Sequence, residues 1–170
     1  MNTKTRTRSA GALCACSLLA LLLTGQPASA AKDTSFVAHY TTASLSAQEQ
    51  KAGNLVNSDR AAYNLSPLTI DPELCRIARI KSQDMRDNQY FAHTSPTYGD
   101  VRDMLRHFGY SFSAAGENIA HHATVEKSQA ALLSSPGHRK NIMSTAYTKV
   151  GVGVAIDPNG FVYLTQIFCR

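Results

Sequence analysis

Two histidines and one glutamate are the residues of this chain whose types could do chemistry together. His93 lies in Phe91-Ala92-His93-Thr94-Ser95-Pro96. Glu117 lies in Gly116-Glu117-Asn118-Ile119-Ala120. His138 lies in Ser134-Ser135-Pro136-Gly137-His138-Arg139-Lys140-Asn141-Ile142. Two neutral imidazoles and a carboxylate are the donor set of an open zinc site with one position left to water. They stand 24 and then 21 residues apart, so no local motif such as His-Glu-x-x-His joins them. A shared site therefore needs three separate segments to converge. Each residue also has a structural use. His93 suits bonding to the backbone of its proline-containing loop, Glu117 suits a buried carboxylate held by backbone N–H groups, and His138 suits a helix start after Pro136-Gly137. Asn118 and Asn141 suit loop bracing by side-chain-to-backbone bonds, and Arg139 suits an ion pair.

Other chemistries fit less well. Ser95, Ser134 and Ser135 lie near the two histidines, and a Ser–His–carboxylate set is a known nucleophilic arrangement. No Gly-x-Ser-x-Gly elbow is present, however. His121 and His122 are neighbours on an extended segment and point opposite ways, so at most one of them faces the same side as Glu117.

The elements that must position these residues read as helices first and strands last. Residues 47–63 carry Leu55, Val56, Ala62 and Tyr63 near helical spacing, with the helix ending near Asn64. Leu65-Ser66-Pro67-Leu68 is a turn or short extended stretch. Asp71 is an N-cap with Pro72 at the first helical position, and Leu74, Ile77, Ala78, Ile80 and Met85 line a second helix running to about Asn88. Residues 91–99 form a loop. Asp100 starts a short helix with Val101, Met104, Leu105 and Phe108 apolar, ended by Gly109. Gly116 to Ala120 is extended, Val125 to Ser134 is a fourth helix, and Pro136-Gly137 breaks it. Val150 to Ile156 and Phe161 to Phe168 form a hairpin around Asp157-Pro158-Asn159-Gly160. Without βαβ alternation this is an α+β fold, helices on an antiparallel sheet.

The first thirty residues read differently. Lys4, Arg6 and Arg8 precede an apolar run from Ala10 to Leu23, followed by Ala28-Ser29-Ala30. This is the order of a secretory signal peptide cut after Ala30, and the run is shorter than the roughly 20 residues a spanning helix needs. The expected organisation is a signal peptide at 1–30, a flexible lead-in at 31–46 and one domain at 47–170. Localisation is expected to be secreted or periplasmic, with no membrane span in the mature chain. Cleavage leaves 14 basic against 12 acidic residues, a net charge of +2. No basic stripe with interleaved aromatics is present, so nucleic acid is not an expected partner, and a monomer is expected. Of the four cysteines, Cys75 and Cys169 lie in the mature part. In an exported domain a pair is expected to form a disulfide.

In this order the segments resemble the bacterial branch of the CAP superfamily (SCP/PR-1-like). The matching residues are Leu55-Val56-Asn57 with Arg60, Phe91 to Pro96, Gly109-Tyr110, Gly116 to Ala120, Ser135 to Met143, Val150-Gly151-Val152-Gly153, and Tyr163 to Phe168. The resemblance implies an α-β-α sandwich with a central, mainly antiparallel sheet between helical layers. It also implies a cleft lined by two His and two Glu, which in some members binds zinc or another divalent ion. On this chain it points to His93, Glu117 and His138, with Ser95, Asn118, Ser135, Arg139 and Asn141 in support. The second Glu has no match: the stretch reads Ala131-Leu132-Leu133-Ser134-Ser135, Glu126 comes too early, and the chain has no Trp. The expected function is a secreted binding module for a lipid, peptide or cell-envelope component. A metal-assisted extracellular hydrolase, peptidase-like, is the alternative.

Overall fold

A computed structural model describes residues 44–170. The expected signal peptide, and residues 31–43 of the expected lead-in, lie outside the described residues. Among the described residues the chain forms, in order, α1 (Ala47–Ala62), β1 (Thr69–Ile70), α2 (Pro72–Asp87), α3 (Val101–His107), β2 (Ala115–His122), α4 (Val125–Ser134), α5 (Pro136–Ile142), β3 (Lys149–Ile156) and β4 (Val162–Cys169). The four strands make one sheet in the order β1-β3-β4-β2. β4 pairs antiparallel with both β3 and β2, and β1 adds two parallel residues to β3.

Local chemistry accounts for the helix ends. Ser46, expected as part of the lead-in, is the N-cap of α1: its hydroxyl accepts from the Glu49 N–H while the Glu49 carboxylate accepts from the Ser46 N–H. Asp71 caps α2 by accepting from the N–H groups of Glu73 and Leu74, with Pro72 in the first turn. Pro136 does end α4, but it also starts α5, because a proline in the first turn gives up an N–H that has no helical partner.

The sheet separates two apolar cores. Val150, Val152, Leu164 and Phe168 share a face with Val56 of α1, Leu132 of α4 and Ile142 of α5. The alternate positions Ile167 and Cys169, with Ala115, pack against Leu74, Ile77 and Ala78 of α2 and Met104 and Leu105 of α3. The result is the α+β, α-β-α sandwich expected from the sequence. Gly151 and Gly153 let α2 lie directly on β3. A Cβ on Gly151 would sit 2.2 Å from the Leu74 carbonyl carbon, and one on Gly153 2.1 Å from the Ala78 carbonyl carbon and the Arg79 nitrogen. Beyond β1, the outer edge of β3 is closed by side chains: the Val152 N–H donates to Cys75 Sγ and the Val154 N–H to Glu49 Oε1. An edge covered in this way does not recruit another strand.

The expected Cys75–Cys169 disulfide is not formed. Both residues are free and buried. Each sits in a different apolar cluster, with Cys75 committed to the β3 edge and Cys169 at the end of the central strand β4. Burial pushes both thiols up to about 11, which keeps them protonated and unreactive at neutral pH.

Candidate functional site

The loop after α2, the strand β2 and the short helix α5 carry His93, Glu117 and His138 into one neighbourhood. His93 Nδ1 lies 2.7 Å from Glu117 Oε1. Nδ1 is therefore the ring nitrogen that faces the carboxylate, and Nε2 is the one turned away from Glu117. The His93 and His138 rings are 6.4 Å apart between centroids. The His93 side chain is 56% exposed and that of Glu117 only 4%, so the carboxylate stands behind the imidazole. Glu117 Oε2 is buried with no hydrogen-bond partner among the described residues. The hydrogen bond to Glu117 raises the His93 pKa above the ordinary histidine value, against burial and the Lys81 charge. Burial, with a smaller contribution from His93, lowers that of His138.

Asn118 fixes the far side of the site. It is fully buried and donates from Nδ2 to the His138 carbonyl at 3.1 Å and to Gln166 Oε1 at 3.1 Å. Asn141 donates to Asn118 Oδ1 at 2.9 Å and to the Glu117 carbonyl at 3.2 Å. These bonds tie β2 to α5, the helix that carries His138. A Cβ on Gly116 would lie 2.5 Å from the Tyr147 hydroxyl and 3.0 Å from Asn141 Oδ1, so any larger residue would have to push these side chains aside.

Other residues singled out in the sequence serve elsewhere. Ser95 is buried and its hydroxyl donates to Asp84 Oδ2 at 2.7 Å, so it anchors the loop. Ser135 joins α4 to α5 and makes no side-chain cap bond. The exposed Arg139 lays its guanidinium over the Tyr63 ring at 4.7 Å. His121 stacks on Tyr163, centroids 4.0 Å apart, and bonds Asp157 at 3.3 Å, while His122 is exposed. Glu126 pairs with Lys51 on the surface.

The residues beneath the His93 loop carry no such signal in the sequence. Lys81 of α2 is 1% exposed. Its ammonium donates to the Ala92 and His93 carbonyls at 2.9 Å each and to the Tyr90 hydroxyl at 3.1 Å. One turn along, Asp84 accepts from Tyr90, Ser95, Thr97 and Asn88. Burial alone would raise the Asp84 pKa, but these hydrogen bonds hold it below the ordinary carboxylate range. The loop thus rests on a buried cation and a buried anion with their partners in place. The available signal was a charge at position 81, where the Leu74–Ala78–Met85 pattern calls for an apolar residue.

The expected three-ligand zinc site does not fit this arrangement. Glu117 spends one oxygen on His93 Nδ1, the position of a group that orients a histidine rather than that of a direct ligand. Among the described residues no group of three or more His, Cys, Asp or Glu side chains is placed to hold a metal ion.

The comparisons with known proteins agree with this architecture. The model of the cysteine-rich secretory protein family, CAP, matches residues 54–168. An uncharacterized protein, YkwD, of Bacillus subtilis (strain 168) is 50% identical over 111 residues, 65% of this chain and 43% of that protein. An uncharacterized membrane protein of the same organism, YlbC, is 37% identical over 127 residues, 72% of this chain and 34% of its own length. The chain thus spans less than half the length of these curated relatives. Among solved structures, an extracellular protein containing an SCP domain from Bacillus anthracis str. Ames superposes with a TM-score of 0.68 at 34% identity, over 76% of this chain and 45% of that one.

Proposed function

This chain belongs to the cysteine-rich secretory protein (CAP) family, and from that premise we propose that it is an extracytoplasmic binding domain whose recognition site is the His93–Glu117–His138 neighbourhood. The observation that carries the reading is the buried Glu117, one oxygen on His93 and the other without a partner. A buried acceptor left empty costs free energy unless a donor reaches it. The group a ligand meets is the half-exposed His93 imidazole that Glu117 backs, which suits a ligand with hydrogen-bonding groups, a peptide or polar envelope component in preference to a lipid tail. Extracytoplasmic placement is supported by the signal-like N-terminus and by the extracellular SCP-domain protein above. No helix among the described residues is long and apolar enough to cross a membrane. A serine nucleophile draws no support from the geometry, because the Ser95 hydroxyl is turned to Asp84.

The test is an NMR titration of the full chain, following the His93 and His138 ring signals with three probes: trialanine, phosphatidylcholine micelles and Zn(II). Trialanine is expected to move both rings, and Glu117→Gln to abolish the response. If the micelles alone act, the site is a lipid site; if zinc alone acts, it is a metal site. If no probe moves either ring, the site is structural and the reading fails.

A further inference from the structure

Four aromatic rings gather at the end of the sheet where the β3–β4 hairpin turns. His121 is at the centre, stacked on Tyr163 at 4.0 Å and 21°, with Phe161 at 5.7 Å and Phe91 at 6.2 Å. Phe91 is 51% exposed and Phe161 44%. Beside them lies an open depression of 490 Å³ lined in part by Arg86, Asp87, Gln89 and Asp157. Asp157 joins the two features, because it lines the depression and bonds His121 Nε2.

We propose that this surface is a second binding site, separate from the His93–Glu117–His138 neighbourhood, and that it takes a neutral glycan. A sugar ring has an apolar C–H face and a polar hydroxyl edge. The C–H face suits the electron-rich faces of aromatic rings, and the edge needs donors and acceptors beside them. The structure sets both side by side. The charges select the occupant. Arg86 donates from Nε and Nη2 to the two oxygens of Asp87 at 2.7 and 3.1 Å, so its charge is matched within the rim. Asp157 faces His121. The lining residues named here thus offer no unmatched cation for a phosphate, an acidic polymer or an anionic lipid headgroup.

The experiment titrates the full chain with chitohexaose and with cellohexaose, reading calorimetric heat and the ring signals of Phe91, His121, Phe161 and Tyr163. Binding of at least one oligosaccharide is expected. Phe91→Ala and Phe161→Ala, both at exposed positions and checked for folding by circular dichroism, are each expected to weaken it roughly tenfold. His93→Ala is expected to leave it unchanged, which separates this site from the one proposed above. The proposal is overturned if neither oligosaccharide binds, or if both phenylalanine variants bind like the parent chain. It is also overturned if the rings respond only to mixed phosphatidylcholine and phosphatidylglycerol vesicles, which would make the patch a membrane contact.

Discussion

Replacing Lys81 by methionine tests the idea that a buried ammonium holds the His93 loop. The side chain is 1% exposed and makes three hydrogen bonds, to Tyr90, Ala92 and His93. A bond from an ionised donor contributes about 1.5–3 kcal/mol, so three amount to roughly 4–9 kcal/mol. Removing the ammonium from water takes back several kcal/mol. Methionine fills a similar volume without the charge, and the expected net loss is about 3 kcal/mol. Urea denaturation at neutral pH reads it. A second observable separates position from charge. Lys81 lowers the His93 pKa as a nearby cation, whereas the Glu117 hydrogen bond raises it. If Lys81 were only a charge, Lys81→Met would raise the His93 pKa further. If it positions the loop, the substitution loosens the contact with Glu117 and the pKa falls toward the ordinary histidine value. We expect the fall, measured by NMR titration of the ring. A loss under about 1 kcal/mol together with a higher His93 pKa would refute the reasoning.

Further outcomes follow from other contacts. The His93 pKa is raised in the folded state, so the pair with Glu117 contributes its full stability below the unfolded value of about 6.5 and loses it as pH rises through the raised folded value. Glu117→Gln should flatten that part of the stability–pH curve. Gly153→Ala would drive a Cβ to 2.1 Å from the α2 backbone, and a loss of about 3 kcal/mol is expected by urea denaturation; a loss under about 1 kcal/mol would mean that α2 lifts off the strand freely. Cys75 and Cys169 are expected to resist a thiol reagent in the native state and to be alkylated without reduction once unfolded. Recovery of a disulfide-linked peptide pair would instead establish the bridge.

How far the site was legible depends on the range of each signal. The grouping of His93, Glu117 and His138 rested on the order of three segments along the chain and on their family resemblance. The bonds that bring them together, Asn118 to the His138 carbonyl and Asn141 to Asn118, join residues 20 and 23 positions apart, and nothing in their spacing announces them. The Asp71-Pro72 cap and the glycine-ended helix at Gly109 were readable because both rest on backbone groups within a few residues. Ser46, by contrast, read as part of a polar lead-in, although the Ser-x-x-Glu box that makes it a cap was present.

By itself the sequence determined the first four helices, the three long strands and the α+β class, because hydrophobic period, caps and turns act over a few residues; β1 and α5 were not read from it. It also determined that Gly151 and Gly153 alternate with valines, so one face of β3 is bare at positions 151 and 153. Only the tertiary structure decided what meets those positions, that Cys75 and Cys169 are both buried and free, and that a lysine at an apolar helical position is held by three acceptors. Those outcomes depend on which buried polar groups find partners across distant segments, and such partners exist only once the layers have packed.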